Sequence, residues 1–207
     1  MTRRRPKSKL RETAETVGLA VLFALTIRIG IAQAYLVDGP SMEPSLVDDQ
    51  RLLVLRAAYG LSVPFRTEAL VVWATPDVGD VVVVESPADG LDLVKRVVGV
   101  PGDVIEVRDG HLVRNGEVVA HRLRGDCDPG DFMRLDPGCE VHEESVGARR
   151  WATSRAVAGP GWTDADAVTV PAGHVYVMGD HRDRSNDSRA FGVVPTTHLR
   201  GRVLFVD

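Results

Sequence analysis

Apolar positions fall into two regimes along the chain. Residues 17–36, VGLAVLFALTIRIGIAQAYL, form one nearly unbroken apolar run. A helix of that length rises roughly 30 Å, about one bilayer core, so the pattern predicts a membrane-spanning helix within residues 13–36. Arg28 interrupts the run and can snorkel toward a head-group layer. Beyond residue 37 the apolar residues break into short β-branched runs: Leu52–Leu55, Val71–Trp73, Val81–Val84, Leu93–Val98, Val104–Val107, Val168–Val170, His174–Val177 and Val203–Val206. Such runs predict strands. Asp109-Gly110 and Asn115-Gly116 are type I′ hairpin signals, so Val104–Val119 is expected to meander through three strands. Pro76, Gly79, Pro87, Pro101 and Gly102 punctuate the remainder. Residues 121–165 are rich in Gly, Pro and Asp and weakly patterned, and read as a loop-rich insertion. The expected fold is mainly β. An antiparallel β-sheet domain at 37–207, with a loop-rich insertion at about 105–170, follows one N-terminal transmembrane helix at 13–36 and a basic arm at 1–12.

Charge sharpens the N-terminal reading. Arg3, Arg4, Arg5, Lys7, Lys9 and Arg11 place six of the 25 basic residues in the arm, and the remaining 19 face 29 acidic residues. A cationic arm on an acidic body suits anionic lipid or nucleic acid. The span that follows selects lipid, and an aromatic content of 5% argues against a stacking platform for single strands. The positive-inside rule puts the arm in the cytoplasm and the body outside. A cleavable signal peptide ending at Ala32-Gln33-Ala34 is the rival reading, and it also exports the body. Cys127 and Cys139 can therefore pair, or stay as two small hydrophobes.

Three dense motifs carry the candidate chemistry. They are Pro40–Leu46 directly after the span, Gly79–Val84 together with Lys95–Asp103, and Gly179–Arg189. The chain has 22 Arg and three Lys, and Lys95 is the only lysine beyond the arm. Arginine stays protonated, whereas a buried lysine can release its proton and act as a base. Its neighbours Leu93, Val94, Val97 and Val98 favour a desolvated site. Ser41 sits between Pro40 and Pro44, in a stiff, extended segment that fixes a hydroxyl in place. A serine hydroxyl becomes a nucleophile when a base accepts its proton, and a neutral lysine can serve. His181 lies in the third motif, so a Ser41–His181–Asp triad is the alternative. Asp80, Asp92 and Asp180 read as turn or ion-pair residues rather than a metal cluster. GxSxG, GxGxxG, the P-loop and HExxH are all absent from the sequence.

Taken in order behind a span, these motifs resemble the bacterial type I signal peptidases: the serine motif, then GDxVxV (Gly79–Val84), KRVxGxPGD (Lys95–Asp103) and GDxRxxSxDSR (Gly179–Arg189). The resemblance implies a membrane-bound serine endopeptidase on a mainly β fold, with no cofactor and no metal. It implies Ser41 as nucleophile, Lys95 as general base and Ser185 as the hydroxyl that orients the amine. The Ser41 backbone N–H would stabilise the oxyanion, helped by the Gly39 region, where some members carry serine. Asp187 with Arg189, and Asp180 with Arg96, match structural pairs. His181 stands where the family usually has Asn. The resemblance further implies substrates that are exported preproteins with Ala-x-Ala cleavage sites. An extended substrate would lie beside Asp92–Val94, with shallow pockets lined by Val37, Met42, Leu46, Leu93 and Val94. The implied setting is the outer face of the bacterial cytoplasmic membrane, with the lipid bilayer as partner and no nucleic acid. The functional rivals are a self-cleaving repressor, a non-enzymatic tethered β-domain that binds peptides, and a secreted β-protein.

Overall fold

The computed structural model describes residues 13–19, 21, 32–61, 68–127, 138–156 and 164–206. The basic arm expected at 1–12 and residues 22–31 of the expected span lie outside the described residues. Residues 13–19 are helical and exposed, and no described helix is long and apolar enough to cross a membrane.

Among the described residues the strands, in chain order, are β1 (Ala32–Leu36), β2 (Arg51–Leu55), β3 (Gly60–Leu61), β4 (Val71–Val72), β5 (Val81–Glu85), β6 (Asp92–Gly99), β7 (Val104–Arg108), β8 (His111–Arg114), β9 (Glu117–Val118), β10 (Ala120–Asp126), β11 (Cys139–Val146), β12 (Arg149–Ala156), β13 (Ala165–Thr169), β14 (His174–Met178), β15 (Val194–Pro195) and β16 (Leu199–Val206). The main sheet runs β1-β2-β16-β5-β6-β14-β15, and every pairing in it is antiparallel. Between β6 and β14 the chain leaves this sheet and builds two others, β13-β7-β8-β9 and β10-β11-β12.

Each expected run beyond residue 37 falls within or overlaps a strand, because β-branched side chains pack well on a pleated, buried surface. Val82 and Val84 on one face of β5 join Val97, Val175, Val177 and Val194 in one core cluster. Val83, on the other face, packs with Leu52, Val54, Val37, Met42 and Leu46. A third cluster of Val98, Ile105, Leu112, Tyr176 and Met178 joins the main sheet to the β7–β8 hairpin. Each such side chain contributes about 1.5–3 kcal/mol of burial. Asp109 (φ 50°), Gly110 (φ 71°), Asn115 (φ 55°) and Gly116 (φ 83°) all take left-handed backbone, as type I′ turns require.

Two expectations are corrected. The apolar run 17–36 does not continue as helix to its end, because Ala32–Leu36 is β1 and pairs with β2 from Ala32↔Leu55 to Leu36↔Arg51. An unbroken apolar run hides the alternation of an edge strand. The stretch 121–165 is not loop-rich through its described length. Residues 120–126, 139–146 and 149–156 form a continuous antiparallel sheet, whose β11–β12 register holds from Cys139↔Ala156 to Val146↔Arg149. A Cys127–Cys139 disulfide closes its open end, with Cα atoms 5.2 Å apart.

Candidate active site

Ser41 projects from a turn pinned from beneath. Met42 and Leu46 are 1% and 3% exposed, and the turn closes through Glu43 N–H to Pro40 O (3.1 Å) and Leu46 N–H to Met42 O (2.9 Å). Lys95 lies on β6, opposite Val82 of β5, with only 2% of its surface exposed. The two residues are 54 positions apart in sequence, yet Lys95 Nζ lies 2.9 Å from Ser41 Oγ. The same nitrogen donates to Val94 O at 2.9 Å. A neutral amine with these neighbours keeps one lone pair, which can face the Ser41 hydroxyl.

Burial pushes the Lys95 amine down from its ordinary 10.5 to about 8. The Asp187 and Asp180 carboxylates oppose the shift and the Arg189 guanidinium assists it, and desolvation wins. The neighbouring Arg96 has a direct carboxylate partner, where the described contacts of Lys95 include none. It is held bidentately by Asp180, Nε to Oδ1 at 2.7 Å and Nη2 to Oδ2 at 2.5 Å, so that carboxylate is already engaged.

The third motif folds under these two residues. Gly179 is required there, because a Cβ would collide with Ser185 and with the Ser41 carbonyl. Asp187 accepts Gly179 N–H (2.9 Å) and the Arg189 fork (2.8 Å from both Nε and Nη2). Burial raises the Asp187 carboxyl, but the Arg189 guanidinium and the Gly179 N–H outweigh it and hold the group low. Ser185 lies in the same motif. Its Oγ is buried and makes no hydrogen bond of normal geometry, so the described contacts of Lys95 Nζ are Ser41 and Val94. The His181 imidazole is fully buried beside Glu43, with Nδ1 4.0 Å from Oε2, and its backbone N–H donates to Ser41 O at 3.1 Å. The nitrogen at Ser41 Oγ is therefore that of Lys95.

The expected substrate-facing residues divide. Val37, Met42 and Leu46 are 1–3% exposed and belong to a core cluster, so they form a packed floor. Leu93 and Val94 are half-buried and Asp92 is exposed. Asp92 accepts from Tyr35 Oη (3.4 Å) and Arg200 Nε (3.1 Å), which brings β1 and β6 close although three strands separate them in the sheet order. Val97 bonds toward β5 through both N–H and C=O, at 2.9 and 2.8 Å. By strand alternation Asp92 and Val94 aim their backbone groups at the opposite edge. β14 covers that edge from Arg96 to Gly99, and among the described residues no strand covers Asp92–Lys95. Gly39 takes φ +88°, and its N–H is given to Asp48 Oδ1 at 2.8 Å.

Pattern reading missed the residues of β11 and β12 that lie against the site. Ser154 Oγ donates to Glu43 O (3.0 Å), and Ser45 Oγ to Ala152 O (3.3 Å). Trp151 lies under the Arg96 guanidinium, 5.4 Å to the ring centroid. Glu144 accepts from Arg182 Nη2 (2.6 Å) and Trp151 Nε1 (3.2 Å). They are mostly polar and carry no motif, so periodicity gives no signal for them.

The chain also matches known proteins in sequence. The family model described as signal peptidase, peptidase S26 matches residues 10–206. Signal peptidase I of Pseudomonas fluorescens is 33% identical over 205 residues, covering 90% of this chain and 68% of the relative. Signal peptidase I of Bacillus licheniformis is 30% identical over 201 residues, covering 97% and 89%. A crystal structure of a signal peptidase I from Enterococcus faecalis is 27% identical, covers 64% of this chain and 98% of its own, and superposes with a TM-score of 0.38. On the family match and these identities, the chain belongs to the signal peptidase family, peptidase S26, and is a serine endopeptidase.

Proposed function

We propose that the protein removes N-terminal signal peptides from exported preproteins, with Ser41 as nucleophile and neutral Lys95 as general base. The observation that carries this reading is the 2.9 Å approach of a buried amine, lowered to about 8, to Ser41 Oγ. Lys95 Nζ takes the hydroxyl proton as Ser41 Oγ bonds to the scissile carbonyl carbon. The Ser41 backbone N–H receives the negative oxygen. Lys95 then returns the proton to the leaving amine, and the peptide C–N bond breaks. A water, deprotonated by the same amine, attacks the acyl-enzyme, and the proton passes back to Ser41 Oγ as the signal peptide leaves. In this scheme Asp187–Arg189 and Asp180–Arg96 brace the third motif and β6.

The open edge at Asp92–Lys95 supports an extended substrate that adds as a strand, close to the segment at Val37. Val37, Met42 and Leu46 are already packed, so the floor leaves little depth for a side chain. Overlap then rejects large residues, which supports cleavage after small residues at −1 and −3. Ser41 follows the apolar run by only a few residues, which supports a site held at the outer face of the membrane by an N-terminal anchor. Trp73 at 56% and Val71 at 54% exposure on the β3–β4 hairpin add apolar surface suited to that setting. A peptide with an Ala-x-Ala junction tests the reading in detergent. Wild type is expected to cut after the second small residue, and Ser41→Ala and Lys95→Arg are expected to lose activity by about 10³-fold or more. Retained cleavage by Lys95→Arg would place the base elsewhere.

A further inference from the structure

The inserted sheet meets the site through one buried serine. Ser154, 1% exposed, is in contact with two of the catalytic segments at once. Its Oγ donates to Glu43 O (3.0 Å), in the turn that carries Ser41. Its N–H donates to Asp180 O and its C=O accepts Arg182 N–H, both at 2.9 Å, so His181 is bracketed as a parallel bridge partner. His181 N–H in turn holds the Ser41 carbonyl at 3.1 Å. Other contacts from the same sheet reach the remaining motif. Ser45 Oγ donates to Ala152 O, Arg96 stacks over Trp151, and Arg149 Nη1 bonds Asp80 Oδ1 at 2.8 Å. The sheet therefore touches all three sequence motifs.

We propose that Ser154 is a positioning residue for Ser41, and that the β10–β12 sheet works as a buttress fixing the nucleophile turn relative to Lys95. This rests on the reading of Ser41 and Lys95 given above. The physical reason is leverage. The turn at 40–46 is tied to the main sheet through apolar contacts, which resist removal from the core better than they fix orientation. Hydrogen bonds are directional, and the bond from Ser154 fixes the carbonyl two residues past the nucleophile. Misplacing reacting groups by about 1 Å costs up to 10²-fold in rate.

The test uses the full chain in detergent with the Ala-x-Ala peptide. Ser154→Ala is expected to lower kcat about ten-fold while KM stays within about two-fold. Ser154→Thr, which keeps the hydroxyl, is expected to recover most of the loss. Wild-type kcat in Ser154→Ala overturns the proposal. So does a loss that Thr does not restore and in which KM rises in step, since that is the signature of general loosening. Should Ser154→Ala fail to fold, Ser45→Ala reads the same buttress through Ala152 O, with kcat expected to fall about three-fold at constant KM. An unchanged kcat there overturns the proposal. If wild type itself cuts no such peptide, the reading of Ser41 and Lys95 fails first and the buttress falls with it.

Discussion

The main sheet and the inserted β10–β12 sheet solve the problem of buried polar groups in opposite ways. In the main sheet, Val82, Val83, Val84, Val97 and Val98 are fully buried, and Lys95 is set among them with no carboxylate bonded to it. In the inserted sheet most buried positions are themselves polar, with Trp151 and Cys139 the apolar ones among the described residues. His142, Glu144, Thr153 and Ser154 are all under 7% exposed, and each finds a hydrogen-bond partner. An apolar wall lowers the proton affinity of one amine by withholding solvent. A polar wall holds neighbouring segments in fixed directions. The first supplies reactivity and the second supplies geometry, and Ser41 stands where they meet.

The largest effect that sharpens this contrast should come from Asp180. Removing the partner of a buried, bidentate arginine leaves Arg96 uncompensated beside Lys95, and Asp180→Ala is expected to cost about 3–5 kcal/mol in urea unfolding. A loss below about 1 kcal/mol would show the pair to be screened like a surface one. Lys95 should act with the opposite sign. Its proton affinity is depressed in the fold, so between about 8 and 10.5 the unfolded chain binds more protons than the native one. Stability is therefore lost as pH falls from 10.5 to about 8, and the cost is fully present below that. Lys95→Met is expected to be inactive yet more stable than wild type by up to about 3 kcal/mol at neutral pH, with the gap closing as pH rises above 8. A stability difference that stays constant with pH would mean the amine is not desolvated.

The same contrast explains what the sequence could convey. The apolar runs announced β2, β5, β6, β7, β14 and β16, because burial on a sheet selects β-branched residues. Asp-Gly and Asn-Gly marked the β7–β8–β9 turns through their left-handed backbone. Lys95 stood out as the lone lysine of the body, and Ser41 by its prolines. Their meeting, across 54 positions, was legible only through resemblance. The inserted sheet gave no periodic signal, since most of its inward residues are Glu, His, Thr and Ser. Ala32–Leu36 looked like the end of a helix because an edge strand next to an apolar run shows no alternation. Apolar character alone does not tell how far a side chain is covered, and Val37, Met42 and Leu46 are packed in the core beneath the nucleophile turn.

The account's central claim is that catalysis waits on the deprotonation of one buried lysine. The most direct measurement is kcat/KM for the Ala-x-Ala peptide between about pH 6 and pH 10, where a base-limited rate rises about ten-fold per unit below its midpoint. The predicted curve climbs through this region and levels above a midpoint near 8, the value to which burial brings Lys95. A midpoint near the imidazole range, about 6.5, would contradict it and assign the base to His181.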